Sequence, residues 1–178
     1  ARSKGQQWER ALDLLGEMKE HAIVLSTITC SAAITACEKG QQWERALELL
    51  GEMRQQRIAL GTITYSAAVS ACEKGQQWER ALDLLGEMQE HAVVLSTVTC
   101  SAAISACEKG QQWERALDLL GEMRQQRIAL GTITYSAAVS ACEKGQQWER
   151  ALDLLGEMQE HAVVLSTITY SEIGRAHV

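Results

Sequence analysis

The chain of 178 residues carries 17 basic and 23 acidic side chains, for a formal net charge of -6, and contains no proline. Hydrophobic residues make up 46% of it, but no apolar run approaches the length that a transmembrane helix needs, so no membrane span is predicted. The charge disfavours a polyanionic partner only mildly, because the acidity is uneven. Residues 75–109 carry five carboxylates against two basic side chains, whereas residues 40–74 carry four of each.

The sequence is built from copies of one unit. The segment Gly-Gln-Gln-Trp-Glu-Arg-Ala-Leu begins at residues 5, 40, 75, 110 and 145, which gives a period of 35 residues. Residues 54–88 and 124–158 are identical, so two types of unit alternate along the chain. A fixed period of this length indicates stacked supersecondary units, each burying its apolar face against its neighbours. We therefore expect one elongated domain with its function distributed over the repeats.

The first half of a unit predicts a short helix. In the unit 62–96, Tyr65, Ala68, Val69 and Cys72 recur at the helical spacing i, i+3, i+4, i+7, which indicates a helix near residues 63–74 with one buried face. The hydroxyl-rich residues 62–64 are candidates for its N-cap. Gly75 is placed to end it in a left-handed conformation.

The second half predicts another helix, over residues 76–89. Its apolar stripe includes Trp78, Leu82, Leu85 and Met88. Trp43, Trp78 and Trp113 occupy equivalent positions, and we expect all three to be buried between helices. Gly86 lies inside this helix at a cost of roughly 1 kcal/mol relative to alanine. Its recurrence indicates either close approach of a neighbouring helix or simple inheritance through duplication.

The connectors between units, residues 55–61 and 90–96, read as short loops, and no strand-like alternation persists. The predicted fold class is therefore all-α, a right-handed α-solenoid of 35-residue helix-turn-helix repeats.

The six cysteines recur at the repeat period without any CxxC spacing, so we expect free thiols in the core and a reducing compartment. The histidines at positions 21, 91 and 161 are loop copies without carboxylates at ligand spacing, so no metal site is expected. No nucleophile with a neighbouring base and no glycine-rich phosphate loop occurs. We expect neither enzymatic activity nor a cofactor.

Three motifs carry a family resemblance: Thr-Ile-Thr-Tyr-Ser from Thr62, Ala-Cys-Glu-Lys-Gly from Ala71, and Trp-Glu-Arg-Ala-Leu-Asp-Leu-Leu-Gly-Glu-Met from Trp78. With their spacing they resemble pentatricopeptide repeats, whereas tetratricopeptide repeats have a slightly shorter period and another motif. The resemblance indicates a fragment of a longer array that covers residues 1–171: a part-repeat 1–26, full repeats 27–61, 62–96, 97–131 and 132–166, and a stub 167–171. Residues 172–178 break the repeat, and we expect them to be a non-native tail.

The resemblance implies binding of single-stranded RNA at about one base per repeat, in the RNA metabolism of a mitochondrion or chloroplast. The implied base-reading pairs are Ser31 with Gly61, Ser66 with Ser96, Ser101 with Gly131, and Ser136 with Ser166. The implied base-packing aliphatics are Ile28, Ile63, Val98 and Ile133. The lysines that resemble phosphate-binding lysines of the family are Lys39, Lys74, Lys109 and Lys144.

The repeat ends depart from the family pattern. Family repeats usually close with proline followed by aspartate or asparagine, but here Leu60 precedes Gly61 and Leu95 precedes Ser96. Glycine has no side chain with which to read a base, so the sequence predicts weak base specificity. The alternative function is a protein-interaction scaffold without RNA binding, which the net acidity and the missing base-reading side chains favour. The lysines would then be ordinary solvated helix ends, and the serines and aliphatics ordinary solvent-facing residues.

Overall fold

The computed structural model describes residues 7–160, and the regular structure in that range is helical throughout. The helices are α1 (Gln7–Glu20), α2 (Thr27–Lys39), α3 (Trp43–Gln55), α4 (Thr62–Lys74), α5 (Trp78–Glu90), α6 (Thr97–Lys109), α7 (Trp113–Gln125), α8 (Thr132–Lys144) and α9 (Trp148–Glu160). The predicted first helix is confirmed to within one residue at its start. The second helix begins two residues later than predicted, at Trp78. The stub and the tail lie outside the described residues.

The chain divides into two compact units, Ala1–Val94 and Leu95–Val178. We call α2, α4, α6 and α8 the first helices and α1, α3, α5, α7 and α9 the second helices. The first and second helices of a repeat contact each other and are joined by only three residues, so the chain reverses direction between them. In the first unit α2 packs against α4, and in the second unit α6 packs against α8. The first helices of each unit therefore form one layer and the second helices another.

The first helices supply most of the core. In α4 the predicted stripe of Tyr65, Ala68, Val69 and Cys72 is completely buried, because α4 contacts α2, α3 and α5. In α5 the buried face is narrower and includes Leu85 and Met88. A helix enclosed on several sides buries more than one stripe, whereas a helix of the outer layer keeps a charged face toward solvent.

All six cysteines are buried and free, which confirms their assignment to the core. Burial in apolar surroundings raises the pKa of the Cys72, Cys100, Cys107 and Cys142 thiols from 9.0 to about 11. These side chains behave as small apolar groups at neutral pH.

The predicted N-cap of the first helix was wrong. The cap is the residue before Thr62, namely Gly61, and the equivalent cap of α6 is Ser96. The Ser96 hydroxyl accepts a hydrogen bond from the Thr99 backbone N–H at 3.2 Å. The hydroxyl-rich segment lies inside the first turn, and its threonines make contacts to other parts of the array instead.

The predicted left-handed conformation of Gly75 was also wrong. Gly75 has φ -81°, and the left-handed residue is the following Gln76, with φ 57°. The glycine is required by close approach: a Cβ added at Gly75 would lie 2.3 Å from Cδ1 of Trp43 in the preceding repeat. The same contact joins Gly40 to Trp8 and Gly145 to Trp113.

The tryptophans are only partly enclosed, which corrects the prediction of full burial. Trp43, Trp78 and Trp113 are half-buried, and Trp148 is 53% exposed. The rings of Trp43 and Trp113 each cover the glycine of the next repeat. The Arg150 guanidinium also lies over the ring of Trp113, 5.0 Å from its centroid.

Gly86 does not serve close helix packing. A Cβ added there, or at the equivalent Gly16, Gly51, Gly121 and Gly156, would have no neighbouring atom within 4 Å. The recurrence of this glycine therefore has no packing reason in the structure, which leaves duplication as its explanation.

Candidate functional site

Four exposed aliphatic side chains recur at the second position of every first helix. Their exposed fractions are 82% for Ile28, 74% for Ile63, 66% for Val98 and 73% for Ile133. A large aliphatic side chain that remains exposed at the same place in each repeat gives each unit a row of apolar contact sites. These are the residues for which the family resemblance implies base packing.

The aliphatic side chains of α2, α4 and α6 stand beside helix starts that are anchored by a hydrogen bond. The hydroxyl of Thr62, just before Ile63, donates a hydrogen bond of 3.1 Å to the carbonyl oxygen of Val94 in the loop that closes the same repeat. Thr27 bonds Ala59 in the same way at 3.0 Å, and Thr97 bonds Ala129 at 3.1 Å. The loop residue therefore lies beside the helix start.

The serines assigned to base reading differ in burial. Ser31 and Ser101 are only 8% and 9% exposed, and their hydroxyls lie 2.6 Å from those of Thr64 and Thr134 in the next first helix. Ser66 and Ser136 are half-buried. In α2 and α6 the serine hydroxyl therefore hydrogen-bonds a threonine of the neighbouring first helix, which limits the hydrogen bonds that it can form with a ligand.

The repeat-closing residues also fall into two kinds. Ser26 and Ser96 cap α2 and α6, each accepting from a backbone N–H at 3.2 Å. Gly61 and Gly131 precede α4 and α8, and a side chain added to either would meet open space. Ser166 lies outside the described residues.

The predicted phosphate lysines are exposed at the opposite end of the first helices, and Lys74 and Lys144 are held in ion pairs. Lys74 pairs with Glu38 of the preceding repeat, and Lys144 pairs with Glu108. The side chains of Glu38 and Glu108 are only 17% and 15% exposed. From Ile63 to Lys74 the helix rises by about 16 Å, at about 1.5 Å per residue. The aliphatic row and the lysine row are therefore separate features.

Lys39 and Lys109 complete that row. At the position equivalent to Glu38 the preceding part-repeat has Ser3, so the sequence offers Lys39 no carboxylate there. Lys109 is exposed like the others. The charge around Lys39 therefore differs from the charge around Lys74 and Lys144.

A second set of charges links the second helices. Lys19 pairs with Glu52, Arg54 with Glu87, and Arg124 with Glu157. Sequence reasoning missed these pairs, and it also missed the hydroxyl contacts of Ser31 and Ser101. Both kinds of contact join equivalent helices of adjacent repeats. A search of the sequence for oppositely charged or hydrogen-bonding residues that lie about one repeat apart could have found them.

Within residues 7–160, no group of three or more histidine, cysteine, aspartate or glutamate side chains is arranged to hold a metal ion. His21 and His91 are exposed, and the loop copy at position 161 falls beyond that range. Over the same part of the chain, none of the helices combines the length and apolarity of a membrane span.

Comparison with known proteins identifies the repeat. The profile described as "Pentacotripeptide-repeat region of PRORP" matches residues 26–173. No curated protein matches the chain.

Solved structures share the fold at low identity. The PPR domain of Arabidopsis thaliana protein-only RNase P 1, solved in complex with tRNA, superposes with a TM-score of 0.85 at 14% identity, covering 97% of this chain and 91% of that one. The pentatricopeptide repeat protein PPR10 from maize has a TM-score of 0.75 at 24% identity, covering 96% and 24%. PPR10 in complex with an 18-nt psaJ RNA element gives 0.74 at 17% identity, covering 92% and 24%.

The chain thus spans about a quarter of the PPR10 chain. At these identities the likeness shows the fold, an all-α helical-repeat solenoid. Because the profile covers well over half of its residues, the protein belongs to the pentatricopeptide-repeat family.

Proposed function

We propose that the protein binds single-stranded RNA along its first helices, at about one base per repeat and with weak base selectivity. The observation that carries this proposal is the row of exposed aliphatic side chains at the same position of every first helix. Flat apolar contact suits the faces of unstacked bases, and every base has such a face. The PPR10 and RNase P 1 structures with RNA support the choice of ligand.

Weak selectivity follows from the groups beside that row. Ser31 and Ser101 share their hydroxyls with threonines, the serine caps already accept a backbone hydrogen bond, and Gly61 and Gly131 have no side chain. Strong discrimination between bases rests on paired or charged hydrogen bonds. The assigned base-reading residues therefore contribute shape and single hydroxyl contacts.

The lysines contribute phosphate attraction that competes with their own ion pairs. To bind a phosphate, Lys74 must leave Glu38 or share its charge with it. We therefore expect affinity that falls steeply with salt but remains modest at physiological ionic strength. As the family resemblance implies, the proposed setting is organellar RNA metabolism in a mitochondrion or chloroplast, with no catalytic step or cofactor.

Replacing an aliphatic side chain tests the proposal. Ile63→Ser should weaken binding of short single-stranded RNA at low salt by roughly fivefold, at the lower end of the roughly 1 to 3 kcal/mol that loss of an aromatic stacking side chain costs. The matched control is Leu14→Ser, since Leu14 is an exposed aliphatic side chain on a second helix. Equal affinities for the two variants would contradict the proposed surface.

A charge variant tests the role of the lysines. Glu38→Gln frees Lys74, so RNA affinity should rise and the salt slope should become steeper by up to about one phosphate contact. The control is Glu52→Gln, which frees Lys19 on a second helix instead. If the two variants bind RNA alike, the lysine row is not the phosphate contact.

The second candidate function is a protein-interaction scaffold, favoured by the pairing of Lys74 and Lys144 with carboxylates. A neutralised surface with exposed aliphatic side chains suits a protein partner better than a polyanion. Absence of RNA binding at low salt would favour this function over the first.

A further inference from the structure

The structure distinguishes two kinds of first helix, which alternate along the chain. We call α2 and α6, which follow Ser26 and Ser96, the serine-capped helices. We call α4 and α8, which follow Gly61 and Gly131, the glycine-preceded helices. Each compact unit holds one helix of each kind, in the same order.

Two features of the candidate surface distinguish the two kinds of helix. The first is the residue before the helix, which is a serine with a hydroxyl at α2 and α6 and a glycine without a side chain at α4 and α8.

The second feature, which distinguishes α4 from α2 and α6, is the loop residue that hydrogen-bonds the helix start. Thr27 and Thr97 of the serine-capped helices bind the carbonyls of Ala59 and Ala129, whereas Thr62 of α4 binds that of Val94. Val94 is 75% exposed, so it widens the apolar contact beside Ile63. The aliphatic side chain of a serine-capped helix has only an alanine methyl group at that place.

We propose that the preferred ligand is a single-stranded RNA whose sequence repeats every two nucleotides. This inference rests on the proposed function, in which each repeat contacts one base. Two contact environments that alternate along the chain select two bases that alternate along the strand. Because both units present the two environments in the same order, the same dinucleotide suits each of them.

A homopolymer cannot satisfy both environments. It places the wrong base on every second repeat, and mismatches at separate positions reduce affinity independently. A non-repeating sequence also places an unfavoured base on some repeats, unless its bases happen to alternate in the same order as the two contact environments. The dinucleotide repeat is the ligand class in which every described repeat meets its preferred base.

The test measures the affinity of the intact chain for RNA oligonucleotides of equal length: the four homopolymers and the six alternating dinucleotide repeats. We expect at least one alternating RNA to bind about fivefold tighter than either homopolymer of its two bases. If the best homopolymer binds as tightly as every alternating RNA that contains its base, the inference is wrong although RNA binding stands. If no oligonucleotide binds at low salt, the proposed function fails and the inference fails with it.

A variant then tests the closing residues. Gly61→Ser with Gly131→Ser gives every repeat a closing serine, and open space at both positions accepts the new side chains. The preference for the alternating RNA over its homopolymers should fall toward one. The matched control, Gly51→Ala with Gly121→Ala, changes two glycines on the second helices of the same array and should leave that preference unchanged. A preference that survives the serine variant intact would overturn the assignment.

Discussion

Because a tryptophan ring lies directly against the glycine of the next repeat, we expect one methyl group added to that glycine to destabilise the protein. In Gly75→Ala the new Cβ would lie 2.3 Å from Cδ1 and 2.6 Å from Cγ of Trp43. An ordinary contact is about 3.4 Å or longer, so the ring or the helix end must move by about 1 Å. Overpacking of this kind costs about 1 to 3 kcal/mol, which exceeds the roughly 0.4 to 1 kcal/mol gained by restricting the unfolded chain. We expect a net destabilisation of about 1 to 2 kcal/mol.

The same substitution at Gly86 should have the opposite effect on the free energy of unfolding. A Cβ at Gly86 meets no atom within 4 Å, and the residue lies inside a helix. Gly86→Ala should therefore stabilise the protein by about 0.5 to 1 kcal/mol. Urea unfolding followed by circular dichroism measures both variants, and melting temperatures should shift by about 2 to 4 °C per kcal/mol, in opposite directions.

Replacing Trp43 with alanine tests whether its ring causes the destabilisation by Gly75→Ala. In a Trp43→Ala chain the space over Gly75 is empty, so Gly75→Ala should no longer destabilise and should behave like Gly86→Ala. A coupling free energy of at least about 1 kcal/mol between the two positions is expected from this double-mutant cycle. If Gly75→Ala proves as stabilising as Gly86→Ala in the wild-type background, the interlocking of tryptophan and glycine is refuted.

Three further predictions concern the backbone, the thiols and the half-buried rings. Ala92 has a left-handed φ of 53°, so Ala92→Gly should stabilise the chain by about 0.5 to 1 kcal/mol in the same unfolding assay, and a loss of stability would contradict this. Because burial raises the pKa of Cys72 and Cys142 from 9.0 to about 11, their contribution to stability is complete below pH 9 and is lost as the pH rises toward 11. The unfolding free energy should fall over that interval, all six thiols should react with a disulfide reagent only after unfolding, and rapid labelling of native protein would contradict the assigned burial. Trp78→Ala should cost about 2 kcal/mol, less than the roughly 3 to 5 kcal/mol of a fully buried aromatic residue, and a larger loss would indicate that the half-buried ring contributes more than its contacts imply.

The helical pattern could be predicted from the sequence because it is a property of single helices. Spacing of Tyr65, Val69 and Cys72 located the first helix, and that pattern needs no knowledge of neighbours. The extent of burial could not be predicted equally well. Trp78 belongs to an apolar stripe, but how far a ring is covered depends on the repeat that stacks on it.

The role of Gly75 could not be predicted from the local sequence either. Gly75 has the position of a C-cap glycine, and local rules predict a left-handed residue there. The structure gives that conformation to Gln76 and uses the missing side chain of Gly75 for contact with Trp43. Only the stacking of one repeat on the next reveals this reason.

The exposure of the proposed base-packing residues agrees with the repeat resemblance, but the contacts of the other candidate residues could not be predicted. Ile63 could be placed from the repeat resemblance, and the structure exposes it. That Ser31 shares its hydroxyl with Thr64, and that Lys74 pairs with Glu38, depends on side chains one repeat apart. Such contacts change what each residue can offer a ligand without changing the helical pattern.

In the proposed complex, RNA bases lie against the exposed aliphatic row of the first helices. This arrangement can be tested by photocrosslinking of RNA that contains 4-thiouridine, with the crosslinked peptides mapped by mass spectrometry. We expect crosslinks in the starts of the first helices and their closing loops, at Ile28, Ile63, Val98 and Ile133 or within a few residues of them. Crosslinks concentrated on the charged faces of the second helices, around Glu52 and Glu87, would contradict it.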